Sequence, residues 1–178
     1  MIYESSYWKD DLLRYAAALR KKTKQRHWSE RSQAVVEKLV FLGFYSVRKL
    51  FEAEKLSTSL RQLSLVTAIY PPTGKNVTRH NWHKTDELFH LDCSQSATIT
   101  LPQLANQAIH SYVFQLGFTH RNTLSFMLIC SDHQRDKGLH HVWFRDVIRV
   151  FERVGRNYPH KTSFVFDPEL KDYRIDSE

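Results

Sequence analysis

No Asp, Glu, Lys or Arg lies between Asp92 and His120, although a quarter of the 178 residues are charged. A quarter of the 27 residues from Cys93 to Thr119 would be about seven charges, so their absence constrains the fold. The stretch still carries Gln103, Asn106, Gln107, His110 and Ser111 among its apolar residues. A segment that sheds charge but keeps neutral hydrogen-bonding groups is one that protein encloses. Polar groups there need partners, and an unpaired buried charge is too costly. The chain is therefore predicted to fold around residues 101–116, with those polar groups forming a structural network or a site.

Periodicity extends this reading. Leu101, Leu104, Ala108, Tyr112 and Leu116 fall on one side of a helix predicted over 102–116, with Pro102 in a first turn that tolerates its missing N–H. Gln103, Asn106, Gln107 and His110 then share one polar sector, since i, i+3, i+4 and i+7 are neighbours. His110 is expected to be largely buried and neutral, with Asn106 or Gln107 beside it. Asn106 and His110 together could hold a phosphate, a base edge or an acid–base pair. A hydrogen-bond network that orients the helix explains the same residues without chemistry. The run from Asn106 to Tyr112 resembles a segment of small uncharacterised bacterial proteins, a resemblance confined to those residues and one that implies no activity.

Upstream, helical spacing predicts two N-terminal helices. Trp8, Leu12, Tyr15, Ala16 and Leu19 mark the first, which Ser5 or Ser6 can cap. Ser29 caps the second, whose apolar face uses Val36, Leu39, Val40, Val47, Leu50 and Phe51, with Gly43 as a weak point or close-packing site. The short link at His27 and Trp28 implies an antiparallel pair. Beyond residue 58 the period changes. Residues 63–69 alternate as a strand that Pro71-Pro72-Thr73-Gly74 ends, a short strand is expected near Leu88–Leu91, and Ala97–Leu101 looks extended. The nearly all-apolar run 123–131 predicts a strand buried on both faces, paired as a hairpin with 139–145. Asp146 is read as the cap of a helix with Val147, Val150, Phe151 and Val154 inward, and further strands are expected at 163–166 and near 173–175. The expected fold is α+β: an N-terminal antiparallel helical pair, then a mostly antiparallel sheet with two packed helices. The length suits a single domain, 1–178, with a helical part to residue 57 and a sheet part from 58.

Net charge is +7, unevenly spread. Residues 1–58 hold 12 Lys and Arg against 7 Asp and Glu, residues 59–119 hold 4 against 3, and 120–178 hold 10 against 9. This favours an acidic partner at the N-terminal region, with Arg20, Lys21, Lys22, Lys24 and Arg26 as its contacts. A solvated helix end accounts for the same run. Arg79, Trp82 and Lys84 set cations beside a ring that could grip a base and its phosphate.

Other chemistry is sparsely represented. His80, His83, His90 and Cys93 have zinc-like spacing, but the residues between the pairs lack the glycine that helps a short metal loop turn. With ten histidines such spacings also arise by chance, so no metal is expected. Glu169-Leu170-Lys171 has the Glu-x-Lys form of one class of metal-dependent nucleases, over too few residues to carry weight. Five unclustered glycines argue against P-loop and Rossmann sites, and no cofactor is expected. Cys93 and Cys130 read as reduced thiols, with Cys130 in the core. Neither a leader nor an apolar span is evident, so a cytoplasmic location without membrane contact is the default. The expectation is a small cytoplasmic non-catalytic binding or accessory protein, its partner a nucleic acid or a larger protein assembly. The alternatives are a histidine-dependent nuclease using His83 and His110, and a purely structural subunit.

Overall fold

The computed structural model describes residues 2–169 and 171–178. Helix α1 (Ser6–Lys22) buries Leu12, Ala16 and Leu19. Ser5 stands at its cap position without a side-chain bond, and Glu4 instead accepts from the Ser6 amide at 2.8 Å. In α2 (Glu30–Glu52) the cap is as expected, with Ser29 accepting from the Ser32 amide at 3.3 Å. The short α3 (Thr58–Arg61) leads into β1 (Ser64–Tyr70), and α4 (Thr85–Leu88) interrupts the following connection. Next come β2 (Gln95–Thr100), α5 (Leu101–Ile109), β3 (Ser111–Phe118) and β4 (Leu124–Ser131). A 3-10 turn (Asp132–Gln134), β5 (Leu139–Trp143), α6 (Phe144–Gly155) and a hairpin of β6 (Thr162–Asp167) and β7 (Asp172–Ser177) complete the order.

Five strands form an antiparallel sheet in the order β2-β1-β5-β4-β3. The four long helices lie on one face. There Leu12, Phe44, Leu104, Met127, Ile129, Val142 and Phe151 join one core. A smaller cluster of Val77, Leu88, Phe89, Val113, Leu128, Cys130 and Leu139 occupies the other face, under the 71–93 connection. β4 is thus flanked by β3 and β5 and packed on both faces, as its apolar run predicts. A Cβ on Gly43 would lie 2.2 Å from the Phe151 ring, so that glycine is a close-packing site between α2 and α6.

Three local expectations are corrected. The helix predicted over 102–116 stops at Ile109, and residues 111–118 form an edge strand instead. Val113, Phe114, Leu116 and Phe118 favour a sheet surface, and the apolar spacing that looked helical continues by alternation. The strand expected near Leu88–Leu91 is the end of α4 plus one bridge between Phe89 and Pro72. Asp146 is not the cap of α6, because Trp143 holds that position and the helix begins at Phe144. No helix among the described residues is long and apolar enough to cross a membrane.

Candidate nucleic-acid interface

In α6, apolar and basic residues segregate to opposite sides. Val147, Val150, Phe151 and Val154 are buried. Arg145, Arg149, Arg153 and Arg156 follow at i, i+4, i+8 and i+11, which at 3.6 residues per turn places them within about 80° of arc. All four are exposed and line one cleft of about 710 Å³. Its other wall is Ser57, Ser59, Leu60 and residues 63–66. A reciprocal pair ties the two walls: the Ser57 amide donates to Asn157 Oδ1 at 2.8 Å, and Asn157 Nδ2 donates to Ser57 Oγ at 2.9 Å.

The cleft exists because the sheet splits. β1 pairs with β5 only from Ala68 to Tyr70, so Ser64, Leu65 and Val66 are unpaired on that side where β5 turns up into α6. A second cleft of about 520 Å³ continues past the fork and is lined by Arg20, Thr23, Ser125, Trp143, Arg145 and Arg149. Across both, five arginines face two carboxylates, Asp146 and Glu152. Asp146 lies 3.3 Å from Arg149 and 3.7 Å from Arg145, while Glu152 pairs with Arg20 at 2.5 Å. Arg153 and Arg156 have no ion pair among the described residues. An unneutralised excess in a concave, low-dielectric wall focuses positive potential.

The N-terminal basic run divides. Arg20 joins the second cleft. Lys22 turns inward, donating to Ser32 Oγ at 2.8 Å and to Gln25 Oε1 at 2.9 Å, which leaves Lys21, Lys24 and Arg26 exposed. In the connection, Arg79, Trp82 and Lys84 are all exposed, and Lys84 meets Glu87 at 3.3 Å. His80, His83, His90 and Cys93 are exposed as well. Among the described residues no three His, Cys, Asp or Glu side chains gather as a metal site requires. Leu170 of the Glu-x-Lys run lies outside the described residues.

The polar sector of α5 resolves residue by residue. Gln103 completes a capping box with Thr100, accepting from its amide at 2.9 Å. Asn106 accepts from Arg48 of α2. Gln107 is buried, its Oε1 accepting from the Ser131 amide at 2.7 Å where β4 leaves the sheet. His110 is exposed, contrary to expectation, because the helix ends there and His110 is its C-cap rather than a mid-helix residue. With Arg48, Asn106, Ser131 and His133 it lines a cleft of about 410 Å³, one formed without His83. His83 instead sits in the connection, its carbonyl accepting from Gln115 Nε2 at 2.6 Å. Cys130 is buried, and burial pushes its thiol up to about 12, so it stays a core thiol.

Counting charge by thirds of the chain concealed the α6 row. In residues 120–178 the acids fall mainly in the 132–136 turn and the 167–178 hairpin, leaving four arginines together on one helix face. The i, i+4, i+8, i+11 spacing was present as a signal. No protein-family model matches the chain, nor does any curated protein or solved structure.

Proposed function

We propose that this protein is a non-catalytic nucleic-acid-binding protein that grips the phosphate backbone along α6. The observation that carries the reading is the arginine row itself: four guanidinium groups in one arc, along one cleft, two of them without an ion pair. Successive arginines four residues apart rise about 6 Å along the axis, so the row spans ~16 Å as a ladder of positive charge. Guanidinium groups bind phosphate bidentately and stay ionised at every working pH. The cleft offers exposed hydroxyl groups at Ser59 and Ser64 for further contacts to phosphate or sugar.

The test is binding of a labelled oligonucleotide by the triple variant Arg149→Glu, Arg153→Glu, Arg156→Glu. The side chains are exposed, so the fold is expected to survive. Loss of more than about a hundredfold in affinity supports the reading, because several phosphate contacts disappear together. Unchanged affinity at low salt overturns it. A protein partner is the second reading, favoured by the hairpin of β6 and β7. Phe164 and Phe166 share one face with Tyr173 and are 60%, 54% and 55% exposed in that order. Serine at Phe164 and Phe166 would remove a partner held there and leave oligonucleotide binding intact.

A further inference from the structure

Trp143 occupies the fork at which β5 leaves the sheet. It is the last residue of β5 and the cap residue of α6, pairs with Phe126 across the sheet, and is 39% exposed. A large ring left open beside Arg145 is not explained by packing alone. Its support is aromatic: Trp143 meets His141 edge-on at 4.6 Å and Phe126 at 6.0 Å, and His141 stacks on Phe126 at 4.1 Å. His141 is buried, so the platform under the tryptophan is part of the folded sheet. The Arg145 guanidinium lies 5.4 Å from the Trp143 ring centroid, and the ring sits with Phe126 and His141 on the sheet face opposite the helices.

We infer that the ligand is a single strand, with one nucleobase stacked against Trp143 while a flanking phosphate lies on Arg145. This rests on the nucleic-acid reading above and adds the class of strand to it. The physical reason is stacking. Bases inside a duplex have both faces covered by their neighbours, so only an unpaired base can lay a face on a protein ring. Arginine beside the ring extends the stack, since a guanidinium plane can also lie on a base.

The experiment compares Trp143→Leu, which keeps bulk but removes the π face, with Trp143→Phe, which keeps a smaller one. The probes are oligothymidylate, oligouridylate, a fully paired DNA duplex and heparin. Stacking on one aromatic is expected to be worth about 5- to 100-fold in affinity, so Trp143→Leu should weaken both single strands by about tenfold or more. Duplex and heparin should change by less than about twofold, and Trp143→Phe should recover most of the loss. A larger loss on one of the two single strands identifies RNA or DNA as the preferred source. If Trp143→Leu binds the single strands like wild type, or loses duplex and heparin equally, the stacking inference is wrong. In that case the arginine row stands or falls separately, on the triple variant above.

Discussion

Helices α5 and α6 pack on the same face of the same sheet and contribute to the same core, yet their outer faces differ sharply. α5 carries no charge, and its polar groups are largely spent inside the protein: Gln103 on the cap, Gln107 on the Ser131 amide, Asn106 on Arg48. α6 and its C-cap residue carry four arginines, of which Arg145 and Arg149 share Asp146 while Arg153 and Arg156 are free of ion pairs among the described residues. Absence of charge marks where a chain must enclose itself. Uncompensated charge on one helix face marks where it meets something else. If this contrast is right, substitutions in α5 cost stability and spare binding, and substitutions on the outer face of α6 do the reverse.

The largest effect separates the row's charge from its placement. Phe151 seats α6 against Phe44 and Gly43, with ring centroids 5.2 Å apart in the aromatic pair. Phe151→Ala should cost about 3–5 kcal/mol in denaturant unfolding and weaken binding only as far as it unfolds the protein. Binding lost by a variant that remains folded would mean that packing, not charge, carries the interface. A smaller loss tests α5. Gln107→Ala strands the buried Ser131 amide and should cost on the order of 1–3 kcal/mol, with oligonucleotide affinity unchanged. Should that variant lose affinity at wild-type stability, the neutral sector is functional and the contrast fails.

Acid should act on the sheet before it acts on the interface. Burial holds His140 and His141 below the ordinary histidine value of 6.5, and His140 Nδ1 has no hydrogen-bond partner. The unfolded chain therefore takes up protons that the folded chain refuses. Stability should be full above 6.5 and fall as pH drops through the ordinary histidine range toward the depressed values. His141→Phe should flatten that fall, and an unchanged pH profile in the variant would contradict the assignment. The smallest effect is expected at His110. It is exposed, with the C-cap geometry held by its backbone, so His110→Ala should shift stability by less than about 0.5 kcal/mol and leave binding intact.

The same contrast explains which features were legible in the sequence. The α+β architecture, the N-terminal helices, the Ser29 cap and the doubly covered strand β4 follow from apolar period and composition. The break at His110 did not, because residues 109–118 are apolar at spacings that fit a helix face and a strand alike. It is the β4 partner, paired from Ser111 to Phe118, that selects the strand. Local pattern does not contain that partner. The split between β1 and β5, which opens the cleft and exposes Trp143, likewise depends on where β5 turns into α6. The arginine row was present in the residue spacing but hidden by averaging charge over a segment whose acids fold elsewhere.

The most direct measurement sets the two basic regions of the chain against each other. Oligonucleotide affinity is measured as a function of salt for wild type, for Arg149→Glu with Arg153→Glu and Arg156→Glu, and for Lys21→Glu with Lys24→Glu and Arg26→Glu. Each phosphate contact on a single strand contributes about 0.7 to the slope of log affinity against log salt. The α6 variant should lose most of its affinity and about two units of slope, while the N-terminal variant should keep the wild-type slope to within about one contact. A steep wild-type slope that survives in the α6 variant and collapses in the N-terminal one would contradict the account.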